Sequence, residues 1–122
     1  MKRDSLSYLW DVYQSCNLIQ KFIRGKNFID YRDDILLQKA VERCFEIIGE
    51  ALNRLSRVDP DLANQVPELR KIIGFRNVLT HNYEAIDHQR VWEFIHDSLP
   101  VLKATLSVLI QERDPNFNPE AS

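Results

Sequence analysis

Glycine and proline are scarce in this chain, and their positions favour long helices joined by few turns. Only three of the 122 residues are glycine and five are proline, and the prolines lie near the expected segment boundaries. No stretch alternates apolar and polar residues as a half-buried strand would. Helical periodicity dominates instead, so we expect an all-α fold.

Long apolar runs, a basic excess and paired cysteines are also absent, and each absence excludes a class of protein. No run approaches the roughly 18 apolar residues of a membrane-spanning helix, and no charged-then-apolar leader is present, so a cytoplasmic location is expected. The formal net charge is -2, whereas general nucleic-acid binders are usually basic. Any contact with RNA would therefore need a local basic patch. Cys16 and Cys44 form no CxxC pair, which predicts reduced core residues.

Apolar residues at helical spacing predict two long helices in the first half of the chain. The first covers about residues 5–24, and Gly25 ends it. Glu42 is expected on a solvated face of the second helix. A linker over residues 26–30 leads to this helix. Its apolar residues repeat at steps of four and three, and they are Leu37, Val41, Cys44, Ile48, Ala51 and Leu55.

Proline and aspartate mark the expected boundaries in the second half. Asp59-Pro60 and Val66-Pro67 each predict a helix start, and the second of these helices carries Arg76 to its last turns. Asp87 is expected to cap a final helix that Pro100 kinks. That helix has two apolar stripes, of which one would face the bundle and the other a second subunit.

These segments together predict an up-and-down bundle of four to five helices. Residues 1–114 would form a single domain around one core. Residues 115–122 lack an apolar period and would form a flexible tail. The second stripe on the last helix favours a two-fold homodimer.

The segment from Arg76 to Tyr83 concentrates chemistry that breaks a phosphodiester bond without a metal ion. Its sequence is Arg76-Asn77-Val78-Leu79-Thr80-His81-Asn82-Tyr83. An arginine guanidinium binds phosphate through two parallel hydrogen bonds, histidine exchanges protons near neutral pH, and a tyrosine hydroxyl donates or accepts a hydrogen bond. The alternative is an arginine on a solvated helix face and a histidine near a helix end.

Helix geometry limits how Arg76 and His81 could meet. Five residues separate them, which places them roughly 140° apart around a continuous helix. They could converge if the helix ends near His81, or if a two-fold partner supplies the facing set. Arg70 and Lys71 precede them on the same segment and outweigh Glu68, so both are candidate RNA-binding residues.

Several motifs, of which this segment is one, resemble those of a known family. They are Tyr8-Leu9-Trp10-Asp11 on the first helix, Gln38-Lys39-Ala40-Val41-Glu42-Arg43 and Ile47-Ile48-Gly49-Glu50-Ala51 on the second, Ile73-Gly74-Phe75-Arg76-Asn77 through His81-Asn82-Tyr83, and Asp87 to Trp92 with Leu99-Pro100 on the last. Together they resemble the HepT-like branch of the HEPN proteins (the DUF86 group) over almost the whole chain.

The resemblance implies a HEPN-type bundle that dimerises and cleaves RNA without a metal or another cofactor. Arg76, Asn77 and His81 take the positions of the family's catalytic residues. The resemblance also implies a toxin that a nucleotidyltransferase antitoxin of the MNT type silences by transferring AMP to Tyr83. Asn82 replaces a glycine that relatives often have, and asparagine tolerates the same left-handed backbone.

Two alternatives to a ribonuclease remain open from the sequence. The chain could be a non-catalytic module that binds nucleotides or a nucleotidyltransferase partner, or an inactive relative that only forms the bundle. The three histidines lie seven and eight residues apart with no cysteine or carboxylate set beside them, so no metal site is expected. His88 and His96 are expected to be exposed, and Glu50 to contact either a basic cleft residue or a neighbouring helix.

Overall fold

The fold is a bundle of helices, and the computed structural model describes it over residues 4–81 and 86–119. Within these residues there is no strand, which confirms the all-α class. The helices are α1 (Ser5–Phe22), α2 (Phe28–Arg32), α3 (Ile35–Val58), α4 (Pro60–Ala63), α5 (Leu69–His81), α6 (His88–Asp97) and α7 (Leu99–Arg113). No helix in the described ranges combines the length and the apolar character needed to cross a lipid bilayer.

The central helix is α3, because it packs against α1 on one side and α5 on another. Helix α7 completes the main core by packing on α1. The predicted stripe of α3 is buried as expected, from Leu37 to Leu55. Both cysteines are also buried and unpaired with each other, which confirms their placement in the core. The largest fully buried side chains are Tyr13, Tyr31, Leu9, Ile19, Ile48, Leu52, Leu55, Leu62, Leu99, Leu102, Leu106 and Ile110.

The expected linker between the first two long helices contains a helix of its own. Asn27 caps α2 by accepting a hydrogen bond from the backbone N–H of Asp30 at 2.9 Å, and the Asp30 side chain accepts from the N–H of Asn27 at 2.9 Å. This reciprocal pair is a capping box, which stabilises the first turn of a helix. Only Gly25, with φ +74, and its neighbours remain as the turn that ends α1.

Helix α5 begins two residues later than the proline signal predicted. Pro67 lies in a turn, Glu68 has a positive φ of 57, and the helix starts at Leu69. The carbonyl of Glu68 still accepts a hydrogen bond from the N–H of Ile72 at 3.0 Å. Asp59 behaves as expected, since its carboxylate accepts from the N–H of Leu62 at 3.2 Å at the start of α4.

The expected final helix is divided into α6 and α7 at Ser98. Asp87 caps α6 as predicted, accepting from the N–H of Arg90 at 3.2 Å. The kink predicted at Pro100 is a full break, because proline has no N–H to donate to the preceding turn. With α2 and α4, this break gives seven helices over the described residues, more than the four to five expected.

The second apolar stripe of the last helix is only partly buried within the chain. Val91 and Phe94 are buried, whereas Val101 and Val108 are 54% and 55% exposed. The α6 half of the stripe is therefore used by the bundle itself, and the α7 half faces outward. A homodimer through that outward half stays a prediction.

The chain beyond α7 folds back onto the first helix. Phe117 is buried, and its ring meets those of Trp10 and Tyr13 edge-on at 5.1 and 5.2 Å. The Tyr13 hydroxyl donates to the carbonyl of Pro119 at 3.3 Å. One aromatic residue thus holds the described part of the expected tail, although no apolar period marks it in the sequence.

Candidate active site

Helix α5 carries the three predicted catalytic residues. Arg76, Asn77 and His81 lie in its last two turns, and the helix is described as far as His81. At these three positions the description covers the backbone alone. Tyr83, the predicted site of modification, lies outside the described residues.

An aromatic cluster fixes α5 directly beside Arg76. The ring of Phe75 stacks on Phe94 of α6 at 4.5 Å with planes 9° apart, and it meets Phe45 of α3 edge-on at 5.3 Å. Phe45 and Phe94 also contact each other at 5.5 Å. Aromatic pairs in these geometries stabilise packing beyond the area that they bury. The helix segment that carries the motif is therefore held between α3 and α6.

The same stacking shows which ends of the helices meet. Phe75 lies six residues before His81, and Phe94 lies six residues after His88, with six residues joining α5 to α6. At about 1.5 Å per helical residue, each histidine is roughly 9 Å along its helix from the stacked rings. At the opposite ends of the two helices, Pro67 and Glu68 before α5 line one cavity with Asp97 and Ser98 at the end of α6. The helices therefore run in opposite directions, and His81 and His88 lie at the same end of the bundle.

The first condition under which Arg76 and His81 could approach each other, an end of the helix near His81, concerns residues beyond those described and stays a prediction. On a continuous helix the two positions are roughly 140° apart, and His81 is the last residue described in α5. A partner subunit that supplies the facing residue is the other condition, and it stays a prediction.

The expected basic patch on α5 is present but partly neutralised. Arg70 and Lys71 are both exposed. The Lys71 ammonium lies 3.8 Å from the carboxylate of Glu68, an exposed pair of the kind that contributes little to stability. Arg70 and Lys71 stay candidates for contact with a phosphate backbone.

Comparison with known proteins shows the family of the chain. The family model described as Ribonuclease HepT-like matches residues 12–109. The chain belongs to the HepT-like ribonuclease family. It is 33% identical over 109 residues to "Probable ribonuclease HepT" of Thermococcus cleftensis, covering 89% of this chain and 98% of that protein.

Two further relatives support the same family. "Putative RNase MJ1380" of Methanocaldococcus jannaschii is 27% identical over 110 residues, covering 88% of this chain and 98% of the relative. "Putative RNase TTE0752" of Caldanaerobacter subterraneus subsp. tengcongensis is 30% identical over 105 residues, covering 86% and 93%. No solved structure matches the chain.

A buried polar cluster lies at the same end of this HepT-like fold as His81, and it was not predicted from the sequence. Glu42 is only 6% exposed, which corrects the expectation of a solvated face, and Tyr31 is fully buried. His88 is half-buried against Tyr31, with ring centroids 6.0 Å apart, so it is not the exposed residue expected. The available signal was the spacing of Gln38, Glu42 and Phe45, which share one face of α3.

Gln38 ties two of the elements around this cluster together. Its side-chain amide donates to the backbone carbonyls of Tyr31 at 3.0 Å and Arg32 at 2.7 Å. These carbonyls lie in the last turn of α2, where backbone acceptors lack helical partners. Gln38 therefore fixes the end of α2 on α3.

Glu50 forms an ion pair within its own helix. Its carboxylate lies 2.7 Å from the guanidinium of Arg54, one turn further along α3. Both residues line a cavity of ≈ 140 Å³ together with Tyr8 and Asp11 of α1. Across the described part of the chain, no group of three or more histidine, cysteine or carboxylate side chains is arranged to hold a metal ion.

Proposed function

We propose that this protein is a metal-independent endoribonuclease. The observation that carries the proposal is the position of Arg76, Asn77 and His81 in the last two turns of a helix that Phe75 holds in the bundle. Membership of the HepT-like ribonuclease family supports the same conclusion.

The proposed reaction is an internal transesterification of RNA. His81 removes the proton from a ribose 2'-hydroxyl, and the resulting oxygen attacks the adjacent phosphorus. The bond from phosphorus to the 5'-oxygen breaks, and a proton from a histidine, of this subunit or its partner, completes the 5'-hydroxyl. Arg76 binds the phosphate and stabilises its growing negative charge, while Asn77 orients the phosphate or His81 through its amide. The products are a 2',3'-cyclic phosphate and a 5'-hydroxyl.

Regulation would depend on a partner protein. We propose that the chain acts in the cytoplasm as a homodimeric toxin beside a nucleotidyltransferase antitoxin that transfers AMP to Tyr83. The added phosphate would place negative charge two residues from His81, where RNA phosphate must bind, and like charges repel. Arg70 and Lys71 would contribute to the attraction of the RNA backbone.

The ribonuclease proposal is tested by incubating the purified protein with total RNA in excess EDTA. We expect cleavage that EDTA does not reduce and that His81→Ala lowers by about 10²–10⁴-fold, the usual contribution of general acid–base catalysis. His96→Ala is the matched control, because His96 is an exposed histidine on α6. Equal activity in His81→Ala and wild-type protein would overturn the assignment. Partner binding without cleavage would instead select the non-catalytic module.

The proposed modification is tested by co-expression with a candidate nucleotidyltransferase. The intact mass of the wild-type chain should rise by one AMP unit, and its cleavage of RNA should fall. Tyr83→Phe should keep the unmodified mass and stay active. If Tyr83→Phe protein is still modified and silenced, the acceptor is a different residue.

A further inference from the structure

Three buried polar atoms on α2, α3 and α6 have no hydrogen-bond partner within the described structure. They are the Tyr31 hydroxyl, Oε2 of Glu42 and Nδ1 of His88. Buried polar atoms are nearly always paired, since each loses its hydrogen bonds to water on folding. Three unpaired polar atoms lower the stability of the protein on its own, so a role in binding would explain why they are there.

The three atoms belong to one cluster rather than to separate sites. Tyr31 of α2 lies next to both of the other residues. The His88 ring packs edge-on against it. Burial, and after it the nearby charge of Glu42, raises the pKa of the Tyr31 hydroxyl. The hydroxyl therefore stays protonated and can donate. The other carboxylate oxygen of Glu42 lies 3.4 Å from the Lys39 ammonium, so Oε2 is the oxygen left to accept.

Aromatic rings connect this cluster to the surface. The half-buried ring of Trp92 on α6 lies 5.4 Å from that of Tyr31. Phe28 of α2 is also half-buried, and its ring lies 6.5 Å from that of Trp92. Unpaired RNA bases stack on such rings and present donors and acceptors at their edges. Phosphate or sugar alone would use neither the rings nor the buried carboxylate.

We propose that Tyr31, Glu42 and His88 form a subsite for an unpaired base of the RNA substrate, next to the His81 end of α5. The proposal rests on the ribonuclease function. An N–H of the base would donate to Oε2 of Glu42, and the Tyr31 hydroxyl would donate to an acceptor on the base edge. His88 is half-buried at the first residue of α6, so a base would reach the other two groups by displacing the His88 ring from Tyr31.

The test compares two fluorescent 12-mers that the enzyme cannot cleave because every 2'-oxygen is methylated. One carries all four bases and the other carries abasic sugars. Wild-type protein should bind the base-containing strand at least tenfold more tightly by anisotropy, since stacking of bases on aromatic rings strengthens binding. Tyr31→Phe and Glu42→Gln should remove most of this ratio while leaving the affinity for the abasic strand unchanged. Glu46→Gln, which changes a half-buried ion-paired residue one turn away on α3, should behave as wild type.

Thermal unfolding separates a binding role from a structural one. Tyr31→Phe removes a hydroxyl without a partner, so the free protein should keep or gain stability. Tyr13→Phe removes a hydroxyl that donates to the carbonyl of Pro119 and should lower Tm. A lower Tm for Tyr31→Phe with an unchanged affinity ratio would show that the cluster only supports the fold.

The outcomes also separate this proposal from the ribonuclease function. Equal affinity of wild-type protein for the two strands overturns the base subsite, whether or not natural RNA is cleaved. A preference for the base-containing strand that Tyr31→Phe and Glu42→Gln abolish supports the subsite. If the same wild-type protein then fails to cleave natural RNA, only the ribonuclease function falls.

Discussion

The stacked pair of Phe75 and Phe94 should couple energetically, and this coupling tests the geometry on which the candidate site depends. The two rings lie 4.5 Å apart with planes 9° from parallel, an arrangement worth about 0.5–1.5 kcal/mol beyond the buried area. Phe75→Leu also loses an edge contact with Phe45, so the single substitution should cost about 2 kcal/mol in unfolding free energy.

A double-mutant cycle measured by urea unfolding isolates the pair. Phe75→Leu, Phe94→Leu and the double variant should give a coupling of about 1 kcal/mol. Phe75 and Phe117 form the control pair, because Phe117 packs on Trp10 and Tyr13 instead. Their effects should add to within about 0.5 kcal/mol. Additivity for Phe75 and Phe94 as well would refute the packing that brings His81 and His88 to one end of the bundle.

Two further predictions concern the core. Phe117→Ala should lower the unfolding free energy by about 3–5 kcal/mol in a urea titration, because a buried aromatic side chain is lost. A change below about 0.5 kcal/mol would instead mean that Phe117 is loosely packed. Burial raises the pKa of the Cys16 thiol from 9.0 to about 12. The folded state therefore keeps a proton that the unfolded state loses, so stability should be full below about pH 9 and should fall toward pH 12. Between pH 9 and pH 12 the unfolding free energy of Cys16→Ala should fall less than that of the wild type, by up to roughly 4 kcal/mol. Identical pH dependence in the two proteins would contradict the burial of this thiol.

The long helices could be predicted from the sequence because their apolar residues repeat at a fixed spacing. The stripe of α3 from Leu37 to Leu55 is buried as expected, and Asp59 and Asp87 cap the helices that they were expected to cap. Short elements were harder, since five residues offer too few repeats to show a period. Only the capping box of Asn27 marks α2 in the sequence.

The motif residues and the buried polar cluster differ in how far a sequence can reveal them. Arg76, Asn77 and His81 are close together along the chain, so their spacing alone identifies them as candidates. Tyr31 lies on α2 and comes close to Glu42 of α3 and His88 of α6 only after folding. Each of the three therefore looks like an ordinary helix residue in the sequence. Glu42 in particular was expected in solvent, because a glutamate is seldom fully buried.

This difference in visibility bears on how specificity would be built into the protein. If catalysis is assigned to one short helix segment and base recognition to residues from three helices, the two functions can change independently. Under that assignment, a substitution at Glu42 would alter which RNA is held, while Arg76 and His81 would still cleave it. Relatives that share the motif and differ at the positions of Tyr31, Glu42 and His88 should therefore cleave by the same reaction at different bases, and exchanging these three residues between two such proteins should exchange the base at the cleavage site.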